Sequence, residues 1–164
     1  MKPLYRIPGI IGLRNLIKAV CECHPAVKEF KSGINLSETT DNTYPLAFLE
    51  SDMSSDTVGP KESFTVSLSL AETVSKDATE EEYILAMSKI DQVLSEIHFE
   101  LTQISSIITV GDSFRKLHYR DQDSDRLAVV RSEFEITIPR HTAKRDTPLD
   151  KIKLQVFLNT LTEQ

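Results

Sequence analysis

The two thiols of the chain, Cys21 and Cys23, stand one residue apart and are followed at once by His24. Such a cluster could be a redox pair or part of a metal site. A disulfide across a C-x-C spacing is strained, and no third cysteine offers a partner. As zinc ligands the three residues come from a single turn, whereas a structural zinc draws a second pair from elsewhere in the chain. His98, His118 and His141 each stand alone, with no second histidine or cysteine at helical or hairpin spacing. The cluster therefore reads as reduced side chains at the end of a helix.

Other patterns that could carry chemistry have plainer explanations. Asp121, Asp123 and Asp125 have the spacing of a calcium loop's first ligands. Arg126 occupies the position that needs glycine, and the twelfth position lacks glutamate, so an exposed acidic turn is expected. Glu80, Glu81 and Glu82 form a carboxylate cluster, but their place at a helix start explains them through the helix dipole. Gly9-Ile10-Ile11-Gly12 has the form of the G-x-x-G clamp of KH domains. It opens the first element instead of joining two helices, so it reads as a helix entry. Dinucleotide, P-loop, zinc-protease and nucleophile-elbow signatures are missing, and the five glycines are not clustered. The expectation is a non-enzymatic protein with no catalytic, cofactor-binding or metal residues.

Composition agrees with that expectation. A chain of 164 residues is about one domain's worth of sequence, long enough to bury roughly 70% of its unfolded surface. Nineteen basic side chains against twenty-five acidic ones give a net charge of −6. A dedicated nucleic-acid binder would instead present a basic face to phosphates. No apolar run reaches the length of a membrane span, and the opening Met1-Lys2-Pro3-Leu4-Tyr5-Arg6 lacks the apolar stretch of a secretion signal. A soluble intracellular product is expected.

The elements follow from periodicity. Leu13, Leu16, Ile17 and Val20 recur at helical spacing, predicting a helix from about Ile10 to Cys23 that Pro25 ends. Residues 26–30 read as extended, with Ser32-Gly33 as a turn. Tyr44 to Leu49 suits a strand buried on both faces. Residues 50–61 are small, acidic and Pro/Gly-containing and read as a long loop, a candidate contact surface. Phe64, Val66, Leu68 and Leu70 alternate with hydroxyl residues, predicting a strand with one face in the core.

Thr79-Glu80-Glu81-Glu82 fits a capping box. Tyr83, Ile84, Met87, Ile90, Leu94, Ile97, Leu101 and Ile104 then form the stripe of a long helix reaching about Gln103. Residues 107–110 predict a short strand closed by Gly111-Asp112, and residues 114–119 a second short strand or irregular edge. Leu127 to Ile138 predicts a strand with Ser132, Phe134, Ile136 and Ile138 on one face and Arg131, Glu133, Glu135 and Thr137 on the other, stopped by Pro139. The fold class is α+β: an antiparallel or mixed sheet packed by an N-terminal helix and one long central helix, with a C-terminal extension.

Residues 1–139 form the expected domain and 140–164 an extension or arm. Thr147-Pro148 suits a helix start, while Ile152, Leu154, Val156 and Leu158 alternate as in a strand, so residues 148–161 fit either form. Their apolar side chains need a surface to cover, either a neighbouring subunit or the chain's own domain.

This layout resembles the small α+β tail-terminator and tail-completion (neck) proteins of tailed bacteriophages. The resemblance covers residues 10–139. It rests on the helix ending in Cys23-His24-Pro25, the Tyr44-Pro45-Leu46-Ala47-Phe48-Leu49-Glu50 strand, and the Asp123-Ser124-Asp125-Arg126-Leu127 turn before a long alternating strand. These phrases look like relatives in phages and prophages of Bacteroides-type hosts. The resemblance implies a structural virion protein, assembled in the host cytoplasm. It implies a homo-oligomeric ring at the tail end or head–tail neck, contacting tail-tube or portal and connector proteins. DNA would pass through the lumen unread, and no membrane would be involved. The alternative is a cytosolic adaptor or regulatory protein-binding domain.

Overall fold

The computed structural model describes residues 9–104, 108–121 and 126–139. The first helix, α1 (Gly9–Cys23), buries Leu13, Ile17 and Cys21 and half-buries Leu16 and Val20, the stripe its apolar spacing requires. Two backbone hydrogen bonds, His24 N–H to the Cys21 carbonyl and Val27 N–H to that of His24, turn the chain into β1 (Glu29–Gly33). Ser32-Gly33 is therefore not a turn but the end of β1. The strand continues because it pairs in parallel with β2 (Leu46–Glu50), with Phe30 facing Ala47 and Gly33 facing Glu50. Gly33 lies against the Phe48 ring, where an added Cβ would sit 3.6 Å away.

β2 is buried on both faces, as its apolar composition demands: Ala47 and Leu49 face the main core, and Leu46 and Phe48 a second one. The stretch after it is a hairpin and not a loop. β3 (Ser54–Val58) pairs antiparallel with the start of β4 (Lys61–Thr73) across Gly59-Pro60. Gly59 has φ +58°, the left-handed conformation that the first position of a two-residue hairpin loop requires. Every residue of β3 is exposed, so hydrophobic periodicity leaves no trace of it.

β4 and β6 (Leu127–Pro139) pair antiparallel along their whole lengths, from Lys61 opposite Pro139 to Thr73 opposite Leu127. Outside β6 lies β5 (Thr109–Asp121), giving the order β1-β2-β4-β6-β5 with β3 beside the first half of β4. The two short strands expected around Gly111-Asp112 are one strand with a bulge. Val110 faces Ile136, Phe114 faces Phe134, and the residues between are extra. Gly111 comes so near β6 that a Cβ would meet the Glu135 Cβ at 3.3 Å. The result is a six-stranded mixed sheet with two helices on one face, the α+β class expected.

α2 (Glu80–Gln103) starts at a complete capping box. Thr79 Oγ1 accepts from the Glu82 amide at 3.3 Å, and the Glu82 carboxylate accepts from the Thr79 amide at 2.6 Å. Its Ile90, Leu94, Ile97 and Leu101 press onto Phe64, Val66, Leu68 and Leu70 of β4 and Val130, Phe134, Ile136 and Ile138 of β6. Ile84, assigned to the stripe by spacing, is exposed. Ser132 is fully buried in this layer, and its hydroxyl donates to the Leu68 carbonyl at 2.9 Å. On the far face a smaller cluster gathers Leu36, Leu46, Phe48, Ala71, Leu127 and Val129. Asp121 ends β5; the rest of the acidic stretch, residues 122–125, and the extension 140–164 lie outside the described residues.

Candidate functional site

Between the C-terminal halves of α1 and α2 runs a groove of about 910 Å³. Leu16, Ala19, Val20 and Cys23 line it from α1, at the spacing that puts them on one helical face. Glu96, Phe99, Glu100 and Gln103 line it from α2, and Ile104 closes one end. Phe99 is 59% exposed, an aromatic ring facing solvent beside an apolar floor. Glu96 and Glu100 are acidic, and among the described residues no lysine or arginine lines the groove.

His24 spans the groove. Its Nδ1 accepts from the Ala26 amide at 3.2 Å, which leaves Nε2 as the donor to the Glu96 carboxylate at 2.7 Å. Gln92 donates to the other Glu96 oxygen at 3.0 Å. The hydrogen bond from His24, reinforced by that from Gln92, holds the Glu96 carboxyl below its ordinary pKa. The Cys21-Cys23-His24 cluster is thus divided among three environments. Cys21 points into the core, where burial, with help from Glu22, pushes its thiol up to about 12. Cys23 is exposed in the groove and His24 is committed to Glu96. Among the described residues, no group of three His, Cys, Asp or Glu side chains is placed to hold a metal ion.

A second polar cluster lies in the seam between α2 and β5, and sequence reasoning missed it. Lys116 and His118, two apart on β5, face α2. Both reach Asp91 Oδ1 at 2.9 Å, and Lys116 also donates to Ser95 Oγ at 2.6 Å. Burial pushes the Asp91 carboxyl up, but hydrogen bonds and charge from Lys116 and His118 outweigh it and hold the pKa below the ordinary value. Further along, Arg120 pairs with Glu80 and lies over the Tyr83 ring at 4.3 Å.

His98 stacks on Phe114 at 3.8 Å with its edge toward Phe134, and its buried Nε2 has no hydrogen-bond partner among the described residues. Burial, then the Lys116 charge, lowers its pKa. An Asp–His pair beside serines invites comparison with a hydrolytic triad, but the hydroxyls are already in use. Ser88 donates to the Ile84 carbonyl and Ser95 to that of Asp91, so neither is held by a base as a nucleophile must be. The seam clamps helix to strand. Its signal in the sequence, Lys116 and His118 at i, i+2, becomes legible only once β5 is known to be a continuous strand beside α2.

The far face carries a third cluster. Arg131 makes a two-pronged pair with Glu50 at 2.7 and 3.0 Å and reaches Ser67 Oγ at 3.2 Å, in a shallow depression where β2 breaks from β3. Ser63 and Thr137 share a hydrogen bond of 2.6 Å across the same face. Gly9-Ile10-Ile11-Gly12 forms the first turn of α1, in keeping with a helix entry. No family model matches the chain, and no curated protein matches it.

Proposed function

We propose that the chain is a structural subunit of the phage tail-terminator or neck type, which closes into a ring at the tail end or head–tail joint. There it stops tail growth and provides the docking surface for the head or portal complex, with DNA passing through unread. The observation that carries this reading is a sheet that, among the described residues, is left open at both ends of its strand order. β1 lies at one end and the 13-residue β5 at the other. Two different free edges on opposite sides of one subunit suit a head-to-tail contact, which forms a ring when the rotation closes. The bulge at residues 111–113 disrupts indiscriminate pairing along the start of β5 and leaves Phe114–Asp121 regular. The acidic net charge suits a conduit that should not hold DNA tightly. Among the described residues, no helix is long and apolar enough to cross a membrane.

The test is light-scattering mass across a wide concentration range, with negative-stain images of any large species. A discrete closed ring is expected. A monomer at every concentration would remove the self-assembling ring and favour the second reading, an adaptor that binds a protein partner, for which the α1/α2 groove is the specific observation.

A further inference from the structure

We infer that the α1/α2 groove is the seat of the chain's own C-terminal segment, residues 151–158. Charge is the first reason. Residues 9–139 carry twelve basic against twenty-two acidic side chains, whereas residues 140–164 carry five basic against three acidic. The groove repeats this contrast locally: an apolar floor, Glu96 and Glu100 at its side, and no lysine or arginine among the described residues. The segment Lys151-Ile152-Lys153-Leu154-Gln155-Val156-Phe157-Leu158 is its chemical complement, apolar side chains with two lysines between them.

Position is the second reason. β6 ends at Pro139, two residues past Thr137, and Thr137 faces Thr109 at the start of β5. The Ile108 amide donates to the carbonyl of Ile104, the residue that closes the groove. The chain therefore leaves the sheet at the end of the molecule where Ile104 bounds the groove. Eleven residues, 140–150, separate the exit from the segment, a reach of up to about 36 Å. The groove's wall along α2, from Gln92 to Ile104, is about 18 Å long, so its own groove lies within reach.

Cys23 is a built-in probe, since it lines the groove and the chain's other thiol, Cys21, is buried. The full chain is compared with its Leu154→Asp/Phe157→Asp variant by the rate at which Ellman's reagent modifies Cys23. A covered groove predicts a rise of at least about tenfold in the variant, because occupancy must be lost before the thiol reacts. Glu100→Lys should give a similar rise, and adding Lys153→Glu should reverse it, a rescue that general loss of structure would not show. Oxidation of a Val156→Cys variant should link that residue to Cys23 within one chain.

Equal rates in wild type and variant would overturn the inference. So would a link formed only between chains, or protection that survives the tail substitutions and grows with protein concentration. The last outcome would assign the groove to the body of a second copy. The inference stands apart from the ring reading, because a monomer would show the same protection.

Discussion

His98 should be worth more to the fold as a phenylalanine. Its ring already stacks on Phe114 at 3.8 Å and meets Phe134 edge-on, contacts a phenyl ring retains. What a phenyl ring lacks is the Nε2 atom, which is buried with no hydrogen-bond partner among the described residues. A buried polar atom without a partner costs roughly 1–3 kcal/mol. Part of that relief is lost to the slightly larger ring, so His98→Phe should gain about 1–2 kcal/mol, with Tm rising by roughly 2–4 °C per kcal/mol for a chain of this size. The pH dependence gives an independent check. Burial and then the Lys116 charge lower the folded-state pKa of His98 below its ordinary 6.5. Between those two values the unfolded chain binds the proton and the folded chain does not, so stability falls as pH drops below about 6.5 and levels off below the folded pKa. Chemical denaturation of wild type and His98→Phe at pH 7.5 and at steps down to pH 5 measures both effects. The variant should be more stable at pH 7.5 and lose less on acidification. A variant less stable at pH 7.5 by more than about 1 kcal/mol, with the wild-type acid slope intact, would refute the reasoning.

Lys116→Met removes the cation shared by Asp91 and Ser95. It should cost about 1 kcal/mol at this partly exposed site, while shrinking the His98 acid step, because the ammonium is one cause of that lowered pKa; denaturation at pH 7.5 and 5.5 reads both. The Asp91 carboxyl, held below its ordinary 3.8, should contribute stability that is present above that value and lost as pH falls through the folded pKa. Asp91→Asn should therefore flatten the unfolding curve in the pH range below about 4 and leave the His98 window in place. Leu94→Ala, at a fully buried position between helix and sheet, should cost about 2–5 kcal/mol in a denaturant titration. Thr79→Ala breaks the capping box and should cost about 1 kcal/mol, seen as earlier fraying of residues 80–83 in amide exchange.

How far the sequence could be read depended on whether each element faces the core. β4, β6 and α2 show their periods because one side of each is packed: Phe64, Val66, Leu68 and Leu70 alternate with hydroxyls, and Ile90, Leu94, Ile97 and Leu101 recur at helical spacing. β3 packs no side chain and is held by its register with β4, so Ser54–Val58 reads as loop. Ser32-Gly33 has turn composition but lies beside β2, and parallel pairing overrides the local preference. Gly111-Asp112 has the composition of a turn and is a bulge instead, where the close approach of Glu135 favours a small residue without a reversal of the chain. The groove has a similar explanation. Leu16 and Val20 belong to the core stripe by spacing, and only the meeting of the two helices shows that they also line a groove beside the exposed Phe99.

The polar clusters pair side chains across the fold. Asp91, Lys116 and His118 satisfy one another, Arg131 is held by Glu50, and His24 is held by Glu96. Each joins two elements: helix to strand, strand to strand, or the α1 turn to α2. Such pairs contribute little to stability individually, but they fix the helices on the sheet and so fix the groove and the sheet edges relative to each other. In the proposed ring, that rigidity would let neighbouring subunits meet at one angle. The groove follows the same logic in its composition. It is apolar where the other clusters are polar, with Glu96 and Glu100 as its acidic lining. If the C-terminal segment is seated there, the groove is covered in the assembled chain, and the surfaces left for neighbours are the two sheet edges. A ring would then be joined by backbone pairing and not by apolar burial. Subunit contacts should accordingly weaken more with a proline placed in the regular half of β5, residues 114–121, than with Phe99→Ala in the groove, as read from the light-scattering mass at a fixed concentration.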